Sequence, residues 1–220
     1  MIVNPKIIIL LTSFALLFTG CFYEEEQTLK TTKKFLEGEP NQTSFKLAQE
    51  YFNKAQYDKA LEHDLKQLEE DLKYYPEYSL EIALDYNNIG LDYDELEKYD
   101  KALAYYKKAL QIDAVVSEAN SSERATTYYN VASTYRALEQ DEMSIQYYLK
   151  ALSIDRLHFG EYHENRLNSY EALVSLYETT NQRTLAEKYL KKVVEVKEHL
   201  YGKEDLRTQE SREALEKMSL

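Results

Sequence analysis

Hydrophobic residues in the central chain recur at spacings of three and four, in pairs of stretches joined by short polar breaks. The first stretch of one pair contains Ile82, Leu84, Tyr86, Ile89, Tyr93 and Leu96. A polar break at 97–100 follows, and the second stretch contains Ala102, Leu103, Tyr106, Ala109, Leu110 and Ile112. Such spacing places apolar side chains on one face of a helix. Each pair of stretches therefore predicts two amphipathic helices joined by a tight turn.

The pattern returns with a period of 42 residues. The aligned sets are Tyr51, Tyr93, Tyr135 and Tyr177; Ala60, Ala102, Ser144 and Ala186; Ala48, Gly90, Ala132 and Val174; and Leu47, Ile89, Val131 and Leu173. Because one helix pair cannot bury its apolar stripe alone, four sets in register predict a stack of four units. The predicted bounds are 44–80, 81–122, 123–164 and 165–202. Leu215 extends the last set and predicts a C-terminal capping helix over 203–220.

The repeat resembles the tetratricopeptide repeat (TPR). In that family an aromatic residue, a Leu-Gly/Ala pair and a Tyr mark the first helix, and Ala, Phe/Tyr and Ala mark the second. The second unit has Tyr86, Ile89-Gly90, Tyr93, Ala102, Tyr106 and Ala109 at these positions. The first unit departs from the pattern, with Asp64 and Gln67 where apolar residues are expected, as suits a solvent-facing terminal repeat. The resemblance covers roughly 44–216 and implies an all-α fold, an α-solenoid of helix-turn-helix units.

The period is longer than the usual TPR period of about 34 residues. About eight extra residues per unit, or two helical turns, resemble the variant of kinesin light chain, which has a longer second helix and a fuller loop. The segment 159–164 resembles that loop, and Gly160 and Gly202, one period apart, both fall there.

Residues 1–20 have the pattern of a secretory signal peptide. Lys6 precedes an apolar run from Ile7 to Phe18, which would rise about 18 Å as a helix, less than a hydrocarbon core of roughly 30 Å. The run ends in Phe18-Thr19-Gly20-Cys21, which resembles the lipobox of bacterial lipoproteins. The resemblance implies lipidation at Cys21, a tether over 21–43 and a lipid-anchored protein of the bacterial cell envelope. The alternatives are an uncleaved anchor and a plain signal with an incidental Cys.

The composition of the chain argues against several classes of function. The formal charge of −12 would repel nucleic acid, so we expect no nucleic-acid partner. The five glycines lie too far apart for a phosphate-binding loop, and Cys21 is assigned to the anchor. We therefore expect no enzymatic activity, no cofactor and no metal. His158 and His163, which flank Gly160, keep a metal-dependent site as a third hypothesis.

A stack of helix pairs coils into a superhelix with a concave groove, and in the TPR family the first helix of each pair lines it. The resemblance implies the following partner-binding residues: Leu84, Asn87, Asn88, Leu91, Tyr129, Asn130, Ser133, Arg136, Asn168, Glu171 and Ser175. Asn88 and Asn130 resemble a clamp on a peptide backbone; the alternative is a bond to the neighbouring repeat. Tyr129 is the best single anchor, and inter-repeat packing is its alternative role. The groove is acidic with one Arg, which favours a neutral or basic peptide.

The leading hypothesis is a membrane-anchored TPR scaffold whose groove binds a protein or peptide segment during assembly of an envelope complex. The alternative is a structural, self-assembling homo-oligomer that acts through its outer faces or ends. Tyr105 and Tyr147, on the second helices, are the interface residues of that alternative.

Overall fold

The computed structural model describes residues 41–116 and 121–219, and the regular structure in these ranges is entirely helical. The helices are α1 Thr43–Asn53, α2 Tyr57–Tyr74, α3 Leu80–Glu95, α4 Tyr99–Val116, α5 Ser122–Ala137, α6 Asp141–Phe159, α7 Glu164–Thr179, α8 Arg183–Tyr201 and α9 Leu206–Ser219. The predicted signal peptide, the lipidated Cys21 and the tether up to residue 40 lie outside the described residues.

Helices pack mainly on their neighbours in the chain. Each of α1 to α8 contacts the helix that follows it, and the first helices of the second and third units, α3 and α5, also touch. Contacts limited to adjacent units are the property of a solenoid. The predicted all-α solenoid is confirmed, and α9 is the predicted C-terminal helix.

The turns inside the units share one geometry. The second residue after the first helix of each unit has a left-handed backbone: Ala55, Glu97, Glu139 and Asn181, with φ of 53°, 56°, 56° and 58°. These residues are one period apart. The next N–H donates to a tyrosine carbonyl five positions back, as from Lys98 to Tyr93 at 2.8 Å. This hydrogen bond is the closure of a Schellman motif. The turn between α3 and α4 therefore contains only residues 96–98. The predicted break at 97–100 is wrong at its last two residues, which belong to α4.

The starts of the first helices also follow the period. Ser79, Ser121 and His163 cap α3, α5 and α7, and each side chain accepts a backbone N–H of the first turn. Asp205 accepts the N–H of Arg207 at 2.9 Å at the start of α9. Caps of this kind satisfy amide groups that a helix leaves without a partner, so each unit begins at a defined residue.

The core lies along the contacts between the helix pairs. Gly90 is buried, and Ala132 is fully buried together with Ala102 and Ala186 of the second helices, as the small-residue sets predict. Ser144 belongs to the same set as Ala102, and its hydroxyl donates to the carbonyl of Ala132 at 2.7 Å.

The C-terminal helix continues this core beyond the fourth unit. Leu215 and Met218 of α9 pack on the core cluster of the third and fourth units, and the Arg183 guanidinium donates to the Met218 carbonyl. Within the described ranges, the helices lack an apolar stretch long enough to cross a bilayer.

The first unit corrects one expectation. Asp64 and Gln67 are buried rather than solvent-facing, with exposed fractions of 8% and 1%. Gln67 is satisfied because its Oε1 accepts the N–H of Phe45 at 3.0 Å and its Nε2 donates to Asp71 at 3.0 Å. An amide with two partners can replace an apolar side chain in a core, which the sequence pattern alone does not show.

Candidate functional site

Three cavities lie between successive first helices, and each includes an aspartate of an intervening second helix in its lining. The cavity between α1 and α3 has a volume of about 410 Å³ and includes Asp64. The cavities between α3 and α5 and between α5 and α7 each have about 100 Å³, and they include Asp113 and Asp155 respectively. The first helices thus form a row of openings along the array, where the sequence analysis placed the binding groove.

The largest of the three, which we call the α1–α3 pocket, contains three of the predicted groove residues. Its lining is Phe45, Ala48, Gln49, Phe52, Asn53, Asp64, Leu84, Asn88 and Leu91. Leu84 is 48% exposed, so a large apolar side chain stands open to a ligand. The α1 residues Phe45, Gln49, Phe52 and Asn53 were not among the predicted site residues, because the first unit matches the family signature poorly.

The two asparagines predicted as a clamp have different surroundings. Asn130 donates from Nδ2 to Oδ1 of Asn87 at 3.3 Å, which joins α5 to α3. Asn87 itself is buried, with 8% of its surface exposed. Asn88 lies instead in the α1–α3 pocket. For Asn130 the structure therefore shows the alternative interpretation, a hydrogen bond to the neighbouring repeat.

Tyr129 lies in the cavity between α5 and α7, beside Thr126 and Asn168. Its ring is half-buried and meets the ring of Tyr148 edge-on, with centroids 5.3 Å apart. The Tyr148 hydroxyl hydrogen-bonds to Ser133 and Arg136. Tyr129 thus packs on Tyr148 and also lines a cavity. Because packing already fixes the ring, little side-chain entropy would be lost when the ring contacts a partner.

The remaining predicted residues join α5, α7 and α8. The Arg136 guanidinium donates to the Ser175 hydroxyl at 2.9 Å. Glu171 forms an ion pair with Lys197 of α8 at 2.7 Å, and Lys197 also donates to Ser211 of α9. These polar side chains already have partners within the chain, so a ligand here would have to compete with them or add to them.

Buried carboxyl groups face each other across α2 and α3. Asp64 hydrogen-bonds to Asp92, and Asp71 hydrogen-bonds to Asp85. All four are at least nine-tenths buried, and Asp92 is fully buried. Burial raises the pKa of each of the four carboxyl groups, and the neighbouring acid raises the pKa of Asp85 and of Asp92 further. A proton shared within each pair explains how two acids can meet in the core.

The tyrosines of the self-assembly alternative pack within their own units. Tyr105 stacks on Tyr93 at 5.4 Å, and the Lys108 ammonium lies 4.7 Å from the Tyr105 ring. Tyr147 repeats the arrangement one period later, with Lys150 at 4.2 Å from its ring. These rings are half-buried, so only part of each is open to a second copy.

His163, one of the two histidines of the metal hypothesis, has a structural partner. Its Nδ1 accepts the N–H of Asn165 at 3.2 Å, and its ring stacks on Phe159 at 4.3 Å. Across 41–116 and 121–219, the His, Cys, Asp and Glu side chains form no group of three that would hold a metal ion.

The comparisons with known proteins agree with this geometry. A family model described as Tetratricopeptide repeat matches residues 42–114 and 123–199. No curated protein sequence matches this chain at a significant level. Many solved structures do match, and three of them follow.

The kinesin-light-chain TPR-like repeats of Podosopora anserina superpose with a TM-score of 0.69 at 18% identity, over 80% of this chain and 84% of that one. BtubC (BKLC) from P. vanneervenii gives 0.67 at 22% identity, over 79% and 70%. MamA gives 0.54 at 23% identity, over 76% and 85%. At such identities the likeness shows the fold, and it confirms the resemblance to the kinesin-light-chain type. Because the family model spans more than half of the residues, the protein belongs to the tetratricopeptide repeat family.

Proposed function

We propose that this chain is a membrane-anchored scaffold that binds a protein or peptide segment along its first helices during assembly of an envelope complex. TPR arrays are scaffolds that mediate protein–protein interactions through extended surfaces. The observation that carries the proposal is the row of three cavities along α1, α3, α5 and α7. An extended peptide matches such a row, because side chains spaced along it can enter separate cavities.

The groove is a better candidate surface than the outer face. Leu84 is 48% exposed beside Asn88, which provides a donor and an acceptor for a peptide backbone. The outer tyrosines, by contrast, are engaged in stacking within their own units. A rigid aromatic side chain and an exposed leucine near polar amides are the composition typical of a peptide-binding surface.

The anchor rests on the sequence. Phe18-Thr19-Gly20-Cys21 follows an apolar run, and a polar segment of about twenty residues separates Cys21 from α1. A tether of this kind would let a membrane-bound array reach a partner at the envelope surface.

Crosslinking in envelope extract of the source organism tests the groove. The groove variant carries Leu84→Ala, Tyr129→Ala and Asn168→Ala, and the matched control carries Leu65→Ala and Leu149→Ala on the second helices, where both leucines are 37% exposed. We expect a partner that is retained by the wild type and the control and lost from the groove variant, while the helical circular dichroism signal stays. Retention of the same proteins by the folded groove variant would exclude the groove as the binding surface.

A further inference from the structure

The first unit differs from the next two at one buried position. Asp64 occupies the place that Tyr106 and Tyr148 hold one and two periods later. Those two rings are 0% and 2% exposed, and they fill the space between successive first helices. An aspartate is too short to fill the same space. The difference in residue size therefore predicts an opening between α1 and α3 that the second and third units lack.

The structure has this opening. The α1–α3 pocket has about 410 Å³, against about 100 Å³ for the cavity between α3 and α5 and about 100 Å³ for the cavity between α5 and α7. Its walls hold four large apolar side chains and three side-chain amides: Phe45, Phe52, Leu84, Leu91, Gln49, Asn53 and Asn88. The lining contains no basic side chain. The pocket is several times the roughly 30 Å³ that one water occupies in the liquid, so it can admit a long side chain.

The lining of the pocket includes Asp64, one carboxyl group of a buried pair. Asp64 has only 8% of its surface exposed, and its side chain hydrogen-bonds to Asp92, which is fully buried. Because the two groups share a proton, they carry one negative charge between them, and no basic side chain among the lining residues of the pocket balances it. A buried carboxylate without a cation is unfavourable, because it has lost its water and gained no opposite charge. A cationic group arriving through the pocket would supply that charge.

We infer that the α1–α3 pocket receives a lysine or arginine side chain of the peptide that occupies the groove. The aliphatic part would lie against Leu84 and Leu91, and the cationic head would meet Asp64. Charge-assisted hydrogen bonds to a carboxylate are stronger than neutral ones, and here they form away from bulk water. The amides of Gln49, Asn53 and Asn88 would orient the peptide at the entrance. The inference rests on the proposed function, because it names the residue that one part of the groove recognises.

A random heptapeptide library displayed on phage tests the inference on the full chain purified in detergent. We expect the enriched peptides to share a Lys or Arg at one position. In a synthetic copy of an enriched peptide, norleucine at that position should weaken binding roughly tenfold or more, as loss of a hydrogen bond to a charged group does.

Two substitutions at Asp64 separate charge from volume. Asp64→Tyr restores the residue that the next two units carry, which favours folding, and it should abolish the preference for a basic residue by filling the pocket. Asp64→Asn keeps the volume and removes the charge, so the basic and norleucine peptides should bind this variant equally. Circular dichroism checks that both variants fold.

The outcomes distinguish this inference from the proposed function. Enrichment of peptides that need Tyr129 but show no fixed basic residue and bind Asp64→Tyr normally would overturn the inference and leave the groove function standing. A library that enriches nothing overturns both. If spermidine alone binds and depends on Asp64 while the peptides do not, the pocket takes a small polyamine and the inference is wrong.

Discussion

At Gly90, the absence of a side chain is a packing requirement. A Cβ built there would lie 2.6 Å from Cε1 of Tyr106, whose ring is fully buried and cannot move aside without disturbing the core. We expect Gly90→Ala to lower the free energy of unfolding by about 1–3 kcal/mol, the range for an overpacked core. This loss would exceed the gain of about 1 kcal/mol in helix propensity.

Urea unfolding followed by circular dichroism measures the change. Ala132→Gly is the matched control, because Ala132 has the same position one period later and its unit accommodates a Cβ. It should lose only about 1 kcal/mol through helix propensity. A Gly90→Ala protein as stable as the wild type would show that the Tyr106 ring can shift without cost.

Asp92 makes stability depend on pH. Burial, Asp64 and Glu95 raise its pKa to about 9, well above the value of 3.8 for an ordinary aspartate. A carboxyl whose pKa is higher in the folded state contributes stability below pH 3.8, and that contribution is lost as pH rises towards 9. The raised pKa of Asp64, Asp71 and Asp85, which lie in the same α2–α3 contact, acts in the same direction.

We expect the wild-type unfolding temperature to fall between pH 5 and pH 9, and Asp92→Asn to reduce that fall. An asparagine stays neutral, and its amide can donate to the Asp64 carboxylate at alkaline pH. Scanning calorimetry at both pH values measures the change, with exposed Asp100→Asn as the control. An equal fall in wild type and Asp92→Asn would show that the buried pair does not govern the pH dependence.

Among the elements, the turns within the units carry backbone strain that a glycine would remove. Glu97 and Glu139 have φ near 56°, where a Cβ is disfavoured, and both side chains are exposed. Glu139→Gly should therefore raise the free energy of unfolding by up to about 1 kcal/mol. Chemical denaturation measures this, and Asn181→Gly is the control, because asparagine tolerates the left-handed region better than glutamate. If Glu139→Gly is destabilising, the entropy of the unfolded chain outweighs the relief of strain.

The helices could be predicted because each unit repeats the same local signals. The tyrosine set of Tyr51, Tyr93, Tyr135 and Tyr177 places the end of every first helix, since those carbonyls close the turns. The lengths of the turns could not be predicted, because a Schellman closure places its left-handed residue at Glu97 and Glu139 without a glycine to mark it.

The candidate site was less predictable than the elements. Positions such as Leu84 and Asn88 follow from the family pattern, and both lie in a cavity. The pattern treats Asp64 as a departure on a solvent-facing repeat, whereas the structure buries it beside Asp92. The available signal was the exchange of a tyrosine for an aspartate at a core position. The role of this aspartate depends on its partner Asp92, which lies on another helix and so is not revealed by the periodic pattern of α2 alone.

On the scale of the whole molecule, the array depends on its ends. Stability in a solenoid is a sum of nearest-neighbour contacts, so each terminal unit lacks one interface. At the C-terminal end, α9 covers the core through Leu215 and Met218. At the other end of the described residues, α1 is the first described helix, and the α1–α3 pocket opens beside it. The proposed recognition of a basic residue therefore lies at the end of the array nearest the proposed membrane anchor.

The net charge of the protein bears on how the proposed anchor would hold it to a membrane. At −12, the protein gains no attraction from anionic lipid headgroups, so the proposed lipid anchor would have to hold it to the membrane through buried acyl chains alone. One acyl chain gives only marginal membrane binding, and two or more acyl chains give stable anchoring.

We therefore expect wild-type cells to incorporate labelled palmitate into this protein and Cys21→Ser to abolish the label. Thr19→Ser, which keeps a small residue before the cysteine, is the matched control and should stay labelled. A labelled Cys21→Ser protein, or an unlabelled wild type, would contradict lipidation at Cys21. The apolar run from Ile7 to Phe18 would then be the remaining candidate for attachment, as an uncleaved anchor.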